Sequence, residues 1–134
     1  MADNIRLEIV TPEKAVVDED AQIVMAPGTF GEFGVLIHHT PFMTTLKTGT
    51  LRFKDAGGKE RSVFVSGGFA EALPDRMTVL AESAEREQDI DLDRARSALE
   101  RAEKRLALED DHTVDIDRAR AAIERALYRI KLAG

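Results

Sequence analysis

The chain has 134 residues, 43 % of them hydrophobic and 33 % charged, which suits a water-facing globular protein with room for a real core. A formal net charge of −6, one tyrosine and no tryptophan argue against a nucleic-acid surface, which needs basic patches and stacking rings. There is no cysteine, hence no disulfide or thiolate chemistry, and no apolar run near the roughly 18–20 residues needed to span a bilayer. The start MADNIRLEIV has no basic segment followed by an apolar block, so no signal peptide is expected.

Turn formers divide the chain. All four prolines and eight of the nine glycines lie at or before Pro74, and Asp75 to Ala133 has neither. Ile5, Leu7 and Ile9 alternate with polar neighbours, which predicts a first strand. Turn signals follow at TPEK 11–14, APGTFGEFG 26–34 and KTGT 47–50. Asp18, Glu19 and Asp20 are expected to be solvated in a turn-like run. Leu51 and Phe53, Val63 and Val65, and Met77 and Val79 mark further strands, separated by DAGGK 55–59, SGG 66–68 and LPDR 73–76. Strands recurring at this spacing predict an all-β sandwich over residues 1–84.

The period then changes. Leu92, Ala95, Leu99, Ala102 and Leu106 recur at steps of three and four, as do Ile116, Ala119, Ile123, Ala126 and Ile130. DLDRARSALERAEKRLAL (91–108) and DIDRARAAIERALYRIKL (115–132) are identical at 11 of 18 positions. Acidic residues open each segment, as a helix dipole favours. The polar link EDDHT 109–113 is short, so residues 85–134 are expected to form an antiparallel helical hairpin, and the fold class is α+β. Every second seam residue is alanine, which buries little apolar area. Two readings stay open: a hairpin able to open or dock elsewhere, and a tight, permanently closed one.

The arginines also admit two readings. Arg101 and Arg105, and Arg125 and Arg129, sit four apart, where like charges repel. In an antiparallel hairpin Arg105 would lie near Asp117 and Arg129 near Asp93, giving salt links. Alternatively, the guanidinium forks suit a polyphosphate. No phosphate-binding loop or nucleophile elbow is present, and GTFGEFG 28–34 lacks the lysine of a phosphate cradle. His38 and His39, adjacent in an expected strand, would point to opposite faces and not share a metal. Nothing reads as an active site. The chain reads as an interaction or regulatory module.

APGTFGEFGVLIHHTPFMTTLKTGTLRF and VSGGFAEALPDRMTVLAESAER, residues 26–53 and 65–86, resemble the ε subunits of rotary ATP synthases. That resemblance implies a non-catalytic part of the central rotor stalk. Its partners would be the γ subunit, the c ring and the αβ catalytic head, and it would help couple proton flow to rotation. It also implies C-terminal helices that extend into the head and block ATP hydrolysis. Its expected place is peripheral, on the cytoplasmic face of the bacterial inner membrane. No cofactor is implied beyond regulatory ATP. Some members bind ATP through I/L-D-x-x-R-A, here IDLDRA 90–95, and the carried-over contacts are Glu85, Ile90, Asp91, Arg94, Arg101, Arg125 and Arg129. Glu32 is the candidate c-ring contact and His39 the candidate γ contact. One departure is Ile37, where the family commonly has proline. Alternatives are a soluble ATP-sensing module whose hairpin closes on nucleotide, and a purely structural coupling module.

Overall fold

The computed structural model describes residues 4–108 and 115–134. They form two compact units, residues 1–87 and 88–134. The first holds nine strands: β1 Ile5–Val10, β2 Ala15–Gly28, β3 Gly31–Val35, β4 Phe42–Thr45, β5 Gly49–Asp55, β6 Glu60–Ser66, β7 Phe69–Ala72, β8 Arg76–Leu80 and β9 Ser83–Arg86. Their order is β4-β7-β8-β1-β2-β5-β6-β9, with β3 added to β2.

The long strand β2 joins the two halves of this order. Its first half pairs antiparallel with β1, from Val10–Ala15 to Ile5–Ala21. Its second half pairs with β5 and β3, after a register irregularity between Ala21 and Ile23. Such a bulge bends a strand and lets it serve two layers. β1 also pairs in parallel with β8, which brings Leu7 beside Met77 and Ile9 beside Val79.

The alternation seen in the sequence is the alternation that is buried. Ile5, Leu7, Ile9, Leu51, Phe53, Val63, Val65, Met77 and Val79 are all at most 1 % exposed and share one core. Each such side chain contributes about 1.5–3 kcal/mol on leaving water. Phe64 is fully buried as well, so β6 is covered on both faces.

Three expectations need correction. Asp18, Glu19 and Asp20 lie within β2 and not in a turn. Arg6 on β1 holds both aspartates, at 2.9 Å and 3.2 Å, so the acidic run is one side of a cross-strand ion pair. The run 26–34 is a hairpin, β2 to β3 around Thr29 and Phe30, and not one long turn. Its glycines hide the strand period. A side chain at Gly34 would come within 2.8 Å of Met25 Sδ, so glycine there serves packing. His38 and His39 lie in a turn after β3, not in a strand.

The SGG block is explained by backbone geometry. Gly67 and Gly68 have φ of 66° and 98°, and a Cβ on Gly68 would sit 1.9 Å from the Leu80 carbonyl oxygen.

In the second unit, α1 runs Leu92–Leu106 and α2 runs Ile116–Ala133. The two pack against each other. Ala95, Ala102, Ala119 and Ala126 are the buried residues of the pair, while Leu99, Ile123 and Ile130 are only half-buried. The link expected at 109–113 lies outside the described residues, as does His112.

Candidate functional site

Each helix starts in the same way. The Asp91 carboxylate accepts from the Arg94 N–H at 3.0 Å, and the Asp115 carboxylate accepts from the Arg118 N–H at 3.0 Å. Both are N-caps, satisfying one of the unpaired amides of the first turn. Two of the motif positions in IDLDRA thus have architectural duties: Asp91 caps α1, and Ala95 fills the seam. The second repeat reproduces both with Asp115 and Ala119.

The other nucleotide candidates divide between the units. Glu85 is on β9 in the first unit, in register with Phe64. Ile90 is half-buried just before α1, Arg94 and Arg101 are exposed on α1, and Arg125 and Arg129 are half-buried on α2. Arg94 and Arg101 lie seven residues apart, two turns along one helix face. Among the described residues neither makes an ion pair, which leaves both guanidiniums open to an anion. The expected Arg105–Asp117 link is not formed either. The ion pairs seen on α1 are Glu100–Lys104 at 3.1 Å and Asp93–Arg96 at 3.9 Å, both solvated and of little energetic weight.

Glu32 lies on β3, one residue past the turn glycine Gly31. Both of its carboxylate oxygens accept from Arg52 Nη2 on β5, each at 3.0 Å. Phe30, at the hairpin tip, is 96 % exposed. The tip is held from behind. Thr29 N–H donates to the Thr45 carbonyl at 3.0 Å, and Lys47 N–H donates to the Pro27 carbonyl at 3.0 Å. A bare aromatic ring on a braced hairpin has no folding role, because it leaves its apolar area in water.

His39 closes a tight turn. Its N–H donates to the Leu36 carbonyl at 3.2 Å, and His38 between them has φ of 67°. A positive φ at the third turn residue marks a type II turn, whose second position favours proline. Ile37 holds that position. It packs on the core instead of restricting φ. The His39 ring sits 5.0 Å from Phe42, which meets Phe33 edge-on at 5.2 Å. Its Nδ1 lies 2.6 Å from the Thr40 carbonyl oxygen. A carbonyl only accepts, so Nδ1 carries the proton in this contact.

Strands β4, β7 and β8 carry a surface that sequence reasoning missed. Phe69 on β7 is in register with Thr45 on β4 and Leu80 on β8, so the three share a face. Met43, two residues from Thr45, lies on the same face. Met43, Phe69 and Leu80 are 62 %, 41 % and 42 % exposed. The available signal was the phase of the alternation: Leu80 is out of step with Met77 and Val79. Among the described residues no cluster of acidic or histidine side chains could hold a metal ion.

Two family models match. Residues 4–87 match the ATP synthase delta/epsilon chain β-sandwich domain, and residues 88–134 match the delta/epsilon chain long α-helix domain. A protein named ATP synthase epsilon chain from Desulfosudis oleivorans is 70 % identical over 106 residues, 79 % of this chain and 80 % of that one. One of the same name from Desulfatibacillum aliphaticivorans is 65 % identical over 111 residues, 83 % of this chain and 79 % of that one. A chain of the Euglena gracilis mitochondrial ATP synthase, solved with its F1 and c-ring, aligns with a TM-score of 0.76 at 25 % identity, covering 91 % of this chain and 76 % of that chain. A chain of the Tetrahymena thermophila central stalk and c-ring aligns with a TM-score of 0.60 at 12 % identity over 97 % and 96 % of the two chains, a likeness of fold.

Proposed function

The chain belongs to the ATP synthase delta/epsilon chain family, as a non-catalytic subunit of the central stalk, and on that premise we propose a division of labour between its two units. The sheet unit docks on the rotor and transmits torque. The helical unit is a movable arm that restrains ATP hydrolysis when extended into the αβ head.

The docking surfaces follow from what is exposed without a folding reason. Met43, Phe69 and Leu80 form an exposed apolar face on β4, β7 and β8, and this face is the proposed γ contact, with His39 a further candidate. The β2–β3 tip, with Phe30 and the Glu32–Arg52 pair, is the proposed contact with the polar loops of the c ring. No helix among the described residues is long and apolar enough to cross a membrane. The proposed location, which follows from the family, is peripheral, on the cytoplasmic face of a bacterial inner membrane, held there through the complex.

The alanine seam carries the regulatory reading. Four buried methyl groups contribute about 3 kcal/mol, about as much as one or two core leucines, and the half-buried Leu99, Ile123 and Ile130 add only a part of what full burial would give. An interface this weak can be exchanged for another of similar free energy, which a two-state arm requires. ATP bound by Arg94 and Arg101, with Arg125, Arg129, Glu85, Ile90 and Asp91 as further candidates, would bias the arm toward the closed hairpin. The test is ATP hydrolysis by the assembled complex with the intact chain and with one truncated after Glu87, which keeps β9 whole. Faster hydrolysis with the truncated chain is expected, and an unchanged rate contradicts an inhibitory arm.

The two open guanidiniums of α1 favour a second reading, an ATP sensor acting as the free chain. Calorimetric titration of the isolated chain with millimolar ATP separates the two, since absence of heat removes the sensor role. A purely structural coupling module, with a hairpin that never opens, predicts no change in hydrolysis when α1 and α2 are cross-linked.

A further inference from the structure

β9 is four residues long and lies at the end of the strand order, so among the described residues its backbone ladder runs to β6 alone. Short edge strands of this kind fray readily. β9 is nevertheless tied a second time, by a side chain. Arg86, its last residue, donates from Nε to the Val16 carbonyl at 3.1 Å and from Nη2 to Glu19 Oε2 at 2.8 Å. Both acceptors are on β2, which is not a hydrogen-bond neighbour of β9 in the sheet. The Arg86 side chain is 21 % exposed and that of Glu19 34 %. Such partial burial strengthens a charge-assisted pair over a solvated one. The chain then leaves the sheet at once, through a single 3-10 turn, Glu87–Asp89, to the Asp91 cap.

We propose that Arg86, held by Glu19 and the Val16 carbonyl, is the fixed anchor at which the movable arm ends. Motion of residues 88–134 pulls on the chain at the turn, and the clasp keeps that pull from unzipping β9. Arg86 is a positioning residue in this role. Without the clasp the free tether would begin near Ser83, longer by four residues or up to about 13 Å. Glu85 would leave its register with Phe64 at the same time. This inference rests on the reading of the helical unit as an arm. Its test uses the full chain and reads only the sheet, so it can fail separately from that reading.

The experiment is amide hydrogen exchange on the full-length parent and on R86Q and E19Q. In R86Q the β9 amides are expected to exchange about tenfold or more faster, with β1 and β8 unchanged. E19Q, which keeps the Val16 contact, is expected to show a smaller change in the same segment. Unchanged β9 exchange in R86Q would overturn the anchor. So would an equal acceleration throughout the sheet, which would make Arg86 a general stabiliser.

Discussion

His38 holds a backbone conformation that few side chains tolerate, and its own side chain is exposed. Left-handed geometry costs a non-glycine residue roughly 1–2 kcal/mol. Replacing it with glycine removes that strain but loosens the unfolded chain, so His38→Gly is expected to gain about 0.5 kcal/mol in urea unfolding. His38→Val, branched at Cβ, is expected to lose about 1 kcal/mol or more at the same site. Asp55 gives a pH signature. Its carboxylate accepts from the Lys59 N–H at 2.9 Å and from Arg61 Nε at 3.0 Å, and these bonds, the backbone one first, hold its pKa below the ordinary value. A depressed folded pKa stabilises the fold above the unfolded value and loses that contribution as pH falls through the folded value. Acid unfolding followed below about pH 4 should therefore be less steep in Asp55→Asn than in the parent.

At the scale of elements, the duplicated helix start makes a sharp test. Asp91→Ala and Asp115→Ala should each cost about 1 kcal/mol of hairpin stability, seen as lost helical ellipticity on heating, because each removes a cap. Asp91→Ser keeps the cap. If ATP binding survives in Asp91→Ser and disappears in Arg94→Ala, the aspartate serves the helix and the arginine serves the nucleotide. The seam should resist enlargement: Ala102→Leu is expected to weaken the closed hairpin by about 1–3 kcal/mol and to deepen inhibition of the assembled complex. These elements were also where the sequence was most legible. The 3.6-residue period, the capping aspartates and the alanine seam could be read directly, since helical order is local. Strands β2, β3, β4, β7 and β9 could not. Glycines 28, 31 and 34 and the acidic run 18–20 mask the alternation of β2 and β3, and the order of these strands depends on partners distant in the chain. The expected Arg105–Asp117 ion pair failed for a related reason. Register places charges near one another, but solvated side chains gain too little from pairing to hold one geometry.

For the whole molecule, the two units differ in how they are held. The sheet unit buries long aliphatic and aromatic side chains from β1, β2, β5, β6 and β8, whereas the hairpin buries alanines. The proposed docking residues were unevenly legible for the same physical reason: Glu32 and His39 stand in a recognisable segment, while Met43, Phe69 and Leu80 become a surface only once β4, β7 and β8 lie side by side. The claim on which the regulatory account depends is that the hairpin is held more weakly than the sheet. Amide hydrogen exchange of the purified full chain tests it most directly. The account predicts that α1 and α2 amides exchange at least about a hundredfold faster than those of β1 and β8. Equal protection in helices and sheet would contradict it and leave a rigid spacer on the rotor.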